Sequence, residues 1–251
     1  MAYADFLERI DNELLNHSVI TDNKYCNWFR NAHLTLKDVR YFTQQFSVFS
    51  NQFIIAQLNK VINSVDLEEA RAGKEVLANE LGVSFKDGSV ENGTYKFTAA
   101  HFEWLVNFAK PLELTFDDIG KRKHGSPATL FYCDELIRIY GSEDFNVSAG
   151  ASFAVENWAA AGFWKDLIAG LQKFKTKYVL NLPLSFFTWH DKLEDQHAEH
   201  AREEMITLYN EHNLNEDVFI KAGNEMLDGV EAFWHGLYQD RIMRYWQKTR
   251  G

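Results

Sequence analysis

The sequence predicts an all-α protein, a single domain over residues 1–251 built as a bundle of seven to nine helices. Three observations support this fold class. Apolar residues recur at helical spacing over long stretches, only three prolines interrupt 251 residues, and no long run alternates between apolar and polar residues as a half-buried strand would. Apolar residues make up 46% of the chain, which is enough for one large core.

Four helices are predicted in the amino-terminal half, the first over about residues 4–17. The second begins after Thr35 in Thr-Leu-Lys-Asp, where the hydroxyl can accept a hydrogen bond from a free backbone N–H group of the first turn. Its apolar face consists of Val39, Phe42, Phe46, Phe49, Phe53, Ile54 and Leu58. The third covers about residues 67–81. A loop or small hairpin with Asp-Gly and Asn-Gly turn signals separates it from the fourth, at about residues 98–110.

Four further helices are predicted in the carboxyl-terminal half. Pro127 follows a serine that is typical of a helix N-cap, and proline is favoured at the first helical position. The predicted helices cover about residues 126–140, 145–174, 183–210 and 215–246.

Charge and composition exclude several classes of protein. The net charge of −10 argues against binding to nucleic acid or to anionic membranes, both of which favour clustered Lys and Arg. The amino terminus lacks the apolar run of a secretion signal, and no stretch of about eighteen apolar residues could span a bilayer. Cys26 and Cys133 lie far apart and form no Cys-x-x-Cys pair, so we expect a reduced, cytoplasmic protein with free thiols.

The segment "WHDKLEDQHAEH" contains the strongest candidate for chemistry. His190, Glu194 and His197 have spacings of four and three, which places them within an arc of roughly 60° on one helix face. Two imidazoles and a carboxylate that converge in this way are suitable ligands for Fe, Mn or Zn. A charged outer face of the helix accounts for the same residues equally well.

Three other polar residues lie in apolar helical stretches. Glu156 is in "SFAVENWAAAGFW", which is apolar nearly all round and is therefore predicted to be buried. A buried carboxylate needs a metal, a proton or a partner such as Arg, His or Tyr, and we favour the metal. Glu80 in "EVLANELGV" and His101 in "TAAHFEWLV" are each, taken alone, more typical of structural residues.

Taken in chain order, these motifs resemble those of the haem-oxygenase-like dimetal oxidases. The order is Glu in "LANELG", His in "HFEWLVNFAKPLEL", Glu in an apolar helix, then His-x-x-x-Glu-x-x-His-Ala. That family includes the Chlamydia protein associating with death domains and the diiron oxidases that decarboxylate fatty acids or cleave amino acids. The resemblance covers about residues 17–205 and implies a haem-oxygenase-like helical bundle.

The resemblance also implies a site of two Fe ions, or Mn in their place. The six ligands would be Glu80, His101, Glu156, His190, Glu194 and His197. Glu194 stands where the family usually has Asp, and the neighbouring Asp195 lies about 100° off the shared face. The separation of 21 residues between Glu80 and His101 is longer than is usual in the family, which leaves Glu75 as an alternative first ligand.

The resulting expectation is an O₂-dependent non-haem diiron oxidase or oxygenase that acts on a small organic molecule. An external electron donor is a candidate partner, and the resemblance implies a homodimer. Six aromatic residues near the motifs are candidates for the lining of a dry pocket, but most are predicted to be ordinary core, with Trp189, beside His190, as the main exception. They are Phe153, Trp158, Phe163, Trp164, Phe187 and Trp189.

Two alternatives use the same fold differently. One is a self-sacrificing p-aminobenzoate synthase that consumes Tyr25 of "YCNW", with Lys165 one residue away from the position of the family's assisting lysine. The other is a metal-free protein: a thiaminase-like hydrolase with Cys133 as nucleophile, a cofactor-free quinone-forming oxidase, or a binding module.

Overall fold

A computed structural model describes residues 3–86, 89–178 and 181–249, with the side chains of residues 84–86, 89–92, 193–201, 204 and 244–249 left aside. Within these residues the chain forms eleven α-helices and one β-hairpin, which confirms the predicted all-α class. The helices are α1 (Tyr3–Arg9), α2 (Ser18–Thr21), α3 (Lys24–Asn31), α4 (Leu36–Ile62), α5 (Leu67–Glu80), α6 (His101–Ala109), α7 (Pro127–Glu135), α8 (Phe145–Ala160), α9 (Phe163–Tyr178), α10 (Ser185–Glu211) and α11 (Glu216–Thr249).

The predicted capping signal at Thr35 is confirmed as a reciprocal capping box. The hydroxyl of Thr35 accepts from the backbone N–H of Asp38 at 3.3 Å, and the Asp38 carboxylate accepts from the backbone N–H of Thr35 at 3.0 Å. The apolar face of α4 is buried over its first part, from Val39 to Phe49. It does not stay buried to the end, because Leu58 is 47% exposed.

The prediction of one continuous helix over residues 145–174 is wrong. α8 ends at Ala160 and α9 begins at Phe163, because Gly162 between them adopts a left-handed φ of +94°. A glycine in this conformation is a common helix terminator. The prediction also missed α2 and α3, which are started by side chains of His17 and Asn23 that accept backbone N–H groups. These differences explain why the helix count exceeds seven to nine.

The hairpin lies between α5 and α6, where a loop or small hairpin was expected. β1 (Val83–Lys86) pairs antiparallel with β2 (Ser89–Tyr95), and the register matches Val83 with Tyr95. The backbone N–H of Lys96 donates to the carbonyl of Gly82 at 2.8 Å, so the chain leaves the hairpin beside the point where it entered.

The core lies where α8 packs against α10 and α11, with α3, α4 and α9 around them. Ten of the sixteen residues of α8 are buried. The seam between α8 and α11 is so close that a Cβ atom on Gly150 would lie 2.2 Å from the carbonyl oxygen of Phe219. Among the described residues, none of the helices combines the length and the apolar character needed to cross a bilayer.

Candidate metal centre

Three of the predicted ligands meet in the structure. Glu80, His101 and His190 each place one potential ligand atom within 4.8 Å of the others. Glu80 is the last residue of α5, His101 is the first of α6, and His190 lies in the second turn of α10. We call Glu80, His101 and His190 the ligand group.

The turn after α5 and the hairpin explain how residues 21 positions apart come together. α5 ends at Glu80 because Gly82 adopts a φ of +99°, a conformation that costs glycine little. The hairpin then returns the chain to the same end of α5, and His101 follows one turn of 3₁₀ helix over Phe97–Ala99. The alternative ligand Glu75 is exposed and does not belong to the ligand group.

His101 is held by a carboxylate on one side and by an aromatic ring on the other. Its Nδ1 lies 2.9 Å from Oε1 of Glu80, where the imidazole N–H can donate to the carboxylate. Trp104 stacks on the imidazole with ring centroids 5.1 Å apart. His101 is only 5% exposed, and the side chain of Glu80 is 17% exposed. The pair therefore forms a sheltered donor set of one imidazole and one carboxylate.

The orientation of His190 is set by its own helix. Its Nδ1 lies 2.7 Å from the carbonyl oxygen of Phe186, and since a carbonyl only accepts, Nδ1 must carry the proton. The lone pair is then on Nε2, the nitrogen that would ligate a metal. A ring nitrogen that donates to a backbone carbonyl in this way is typical of metal-ligating histidines. Trp164 stacks on the ring at 4.9 Å, and the ring of His101 stands edge-on to it, also at 4.9 Å.

The other predicted ligands are placed less completely. α10 is an uninterrupted α-helix through residue 197, so the premise that His190, Glu194 and His197 share one face holds for the backbone. The side chains of Glu194 and His197 lie outside the described residues. Glu156 is half-buried on α8 and is not part of the ligand group. The assignment of these three residues as ligands stays a prediction.

The residues of the alternative mechanisms lie in contrasting environments. Tyr25 is 1% exposed and packs between Trp28 and Trp234, with ring centroids 5.3 and 5.5 Å away. Lys165, which was suggested to assist it, is exposed on the first turn of α9. Cys133 is buried, and burial raises the pKa of its thiol to about 12. A thiol in this state is a poor nucleophile at neutral pH.

A pocket of about 260 Å³ opens beside the ligand group. Its wall includes His101 and the predicted pocket residue Trp189, which is 39% exposed; the other five aromatics are buried, as expected for core residues. Trp104 and Lys192 also line it, and neither was singled out from the sequence. The sequence indicates only that Lys192 lies one helical turn after Thr188 and so shares its helix face. It does not show which other elements face α10.

A second cluster of potential ligands is better explained as a helix cap. His17, Asp228 and Glu231 also place ligand atoms within 4.8 Å of one another. However, Nδ1 of His17 accepts the backbone N–H of Val19 at 3.2 Å, so in the neutral ring Nε2 carries the proton and donates to Asp228 at 3.2 Å. This nitrogen therefore links the start of α2 to α11 and has no lone pair to offer a metal.

Comparison with known proteins identifies the fold. No protein-family model and no curated protein matches the chain. A domain of unknown function with a heme oxygenase-like fold from Shewanella denitrificans has a TM-score of 0.68 and 13% identity, over 98% of this chain and 95% of that one. A TenA homologue from Pseudomonas syringae pv. tomato has a TM-score of 0.65 and 14% identity, over 93% of each chain.

A third solved structure is a CADD-like protein of unknown function from Nostoc punctiforme. It has a TM-score of 0.61 and 15% identity, over 95% of this chain and 94% of that one. All three similarities cover nearly the whole length of both chains. At this low sequence identity they show a shared fold and nothing more. The chain therefore has the haem-oxygenase-like helical fold that its motifs implied.

Proposed function

We propose that the protein is a non-haem dimetal oxidase or oxygenase that uses O₂ to oxidise a small organic molecule. The observation that carries the proposal is the ligand group, in which two imidazoles and a carboxylate from three separate helices converge within 4.8 Å. Nitrogen and carboxylate ligands of this kind suit Fe and Mn. Iron is favoured because the sequence motifs resemble those of diiron oxidases.

The residues of the ligand group fit a metal in their chemistry. His190 presents the lone pair of Nε2, and a metal would compete with the proton between His101 and Glu80. Glu156, Glu194 and His197 would complete two metal sites. Three carboxylates against two divalent cations leave a net charge of about +1. When bound, the metals would supply the electrons that reduce O₂ and the oxidising power that acts on the substrate.

The protein's own contribution is to orient the ligands and to keep water away. Phe186 and Trp164 are 2% and 6% exposed and cover two sides of the His190 ring. Because the hydrogen bond to the Phe186 carbonyl fixes the His190 tautomer, the ligand nitrogen needs no rearrangement before binding. The pocket leaves one side of the ligand group open to a small molecule.

Metal content is the first test. The protein is loaded with Fe(II) without oxygen, and bound iron is measured by mass spectrometry in the wild type, His190→Ala, His101→Ala and Glu80→Gln. We expect about two irons per chain in the wild type and a clear loss in each variant. O₂ is then added while visible absorption is followed. His235→Ala is the control, because His235 is exposed on α11, outside the ligand group. Absence of iron from the wild type, or iron binding that is unchanged in the three ligand variants, would contradict the proposal.

The variant Tyr25→Phe separates an external substrate from a self-consumed one. We expect it to bind iron and consume O₂ as the wild type does, because phenylalanine fills the same place among Trp28, Phe42 and Trp234. The intact mass of the wild-type chain should be unchanged after reaction with O₂. A mass loss that Tyr25→Phe prevents would instead establish the self-sacrificing p-aminobenzoate synthase.

A further inference from the structure

The pocket beside the ligand group has one long wall on α10. Ser185, Thr188, Trp189 and Lys192 line it at positions i, i+3, i+4 and i+7, which is one helix face over two turns. At 1.5 Å per residue this wall is about 10 Å long. Ala99, two residues before α6, and His101, the first residue of α6, also line the pocket. The pocket joins the ligand group at His101.

Exposure gives the pocket a direction. His101 is 5% exposed, Trp104 is half-buried, Trp189 is 39% exposed and Lys192 is exposed. His101 therefore lies on the buried side of the pocket, and Ser185, Trp189 and Lys192 lie on its exposed side. A molecule that enters would place its leading end near His101 and its trailing end near Lys192.

Two indole rings form the apolar part of the pocket. Trp104 and Trp189 meet edge-on, with ring centroids 5.7 Å apart and an interplanar angle of 75°. The indole N–H of Trp104 donates to the carbonyl of Thr98 at 3.1 Å, which fixes the ring. Such rings offer a large, rigid surface to a flat apolar group.

The charge of the lining favours an acid. Lys192 contributes an ammonium group, and no aspartate or glutamate is among the described residues that line the pocket. Lys192 is therefore the lining residue that can attract an acidic group.

We propose that this pocket binds a small organic acid with a flat apolar body, and that Lys192 holds the acidic group at the open end. The body lies against Trp104 and Trp189, and the end opposite the acid points to the ligand group. The pocket volume of about 260 Å³ lies just below the 300–1,000 Å³ that is typical of pockets for drug-sized ligands, so one ring with a short chain fits best. Binding of the acid does not depend on the proposed function, whereas oxidation of the end that points to the ligand group would rest on it.

Binding to the metal-free protein tests the proposal independently of any oxidation. Isothermal titration calorimetry compares 3-phenylpropionate with 3-phenylpropan-1-ol and 3-phenylpropylamine, which share the ring and the chain length. We expect the acid to bind about tenfold more tightly than the alcohol, and the amine to bind least. The preference for the acid should shrink as salt is raised, because Lys192 is exposed.

Substitutions of Lys192 test the anchor. Lys192→Met keeps an apolar side chain of similar length and should reduce the affinity for the acid to that for the alcohol. Lys192→Arg should retain the preference. The control is Lys221→Met, because Lys221 is a lysine on α11 whose side chain is 78% exposed and that does not line the pocket. An acid preference that survives in Lys192→Met would overturn the proposed anchor.

Ala99→Leu tests the location, since the larger side chain would fill the pocket. We expect it to weaken binding of both the acid and the alcohol. Unchanged affinity, or no binding of any of the three compounds to the wild type at millimolar concentration, would overturn the proposal. Iron content of the wild type separates the two hypotheses: normal iron loading of a wild type that shows no acid preference refutes the pocket assignment alone. Acid preference without iron binding refutes the oxidase alone.

Discussion

Helices α8 and α5 each carry a carboxylate that is predicted to bind metal, but they are held in place by different means. Ten of the sixteen residues of α8 are buried, whereas Gly73 is the single buried residue among the fourteen of α5. α8 is fixed by core packing against its neighbours. α5 is fixed by its cap at Asp66, by close contact of Gly73 with α4 and by the hydrogen bond from His101 to Glu80.

The proposed dimetal site would therefore combine a ligand from a densely packed helix with one from a weakly packed helix. Burial of apolar side chains stabilises α8 along its whole length, at about 25 cal/mol for each Å² removed from water. α5 depends on a few polar contacts at its two ends, each of which contributes on the order of 1 kcal/mol. Substitutions in α8 should therefore lower the global stability of the fold. Substitutions in α5 should mainly disturb the position of Glu80.

The largest expected effect is that of Gly150→Val at the seam between α8 and α11. Its Cβ would lie 2.2 Å from the carbonyl oxygen of Phe219, and backbone cannot move aside as a side chain can. We expect a loss of about 3 kcal/mol or more in the free energy of unfolding, or failure to fold. Urea denaturation followed by circular dichroism measures this loss.

Gly162→Ala is the matched control for that substitution. Gly162 has a φ of +94°, but no atom lies within 4 Å of where its Cβ would be, so only backbone strain opposes the change. We expect a cost of about 1 kcal/mol. If both variants lose the same stability, the close helix seam is not what holds α8.

Hydrogen exchange should show directly that α5 is held less firmly than α8. Backbone amides in the middle of α5 should open with a lower free energy than those of α8, because fewer buried contacts must be broken. Mass spectrometry of peptides from both helices measures this difference. Fe(II) should slow exchange in α5 more than in α8, since Glu80 would then be tied through the metal to His101 and His190. Equal protection of α5 and α8 without metal would contradict the comparison.

A smaller effect is expected at the cap of α5. The Asp66 carboxylate accepts the backbone N–H groups of Glu68 and Glu69, each at 2.9 Å, so Asp66→Ala should cost about 1 kcal/mol. Asp66→Asn keeps an oxygen acceptor and should cost less. These hydrogen bonds, with a contribution from His212, lower the pKa of Asp66. Because the folded pKa lies below the unfolded value of about 3.9, the stabilisation is present above that pH and is lost as the pH falls further.

The smallest expected effect concerns the thiols, both of which lie in the densely packed part of the fold. Burial raises the pKa of Cys26 well above its usual range and that of Cys133 to about 12. We expect neither to react with a thiol reagent at pH 7.5 until the protein is unfolded. The control is the same reaction in urea, which should titrate two thiols per chain. Rapid reaction of Cys133 in the folded protein would revive the thiaminase-like alternative.

Local sequence patterns predicted the helices well, but such patterns carry no information about how distant segments pack together. The capping box at Thr35 and the boundaries of α5 follow from the residues themselves. The break at Gly162 was missed because the apolar, helix-forming sequence continues on both sides of one glycine. The meeting of Glu80 with His101 depends on the hairpin return, and Lys192 lines a pocket only because Trp104 of another helix meets α10 at Trp189.

Because of the antiparallel hairpin, Glu80 and His101 lie close together in space although they are 21 positions apart in the chain. At its base the hairpin pairs Val83 with Tyr95 and Ser84 with Thr94, before the register shifts between Ser84 and Lys86, so removing one of these two residue pairs would leave Glu80 and His101 where they are. Removing a single residue would instead shift the register and turn the following side chains to the opposite face. Related proteins are therefore expected to tolerate insertions here in matched pairs, and a search pattern with fixed spacing between this carboxylate and this histidine would overlook them.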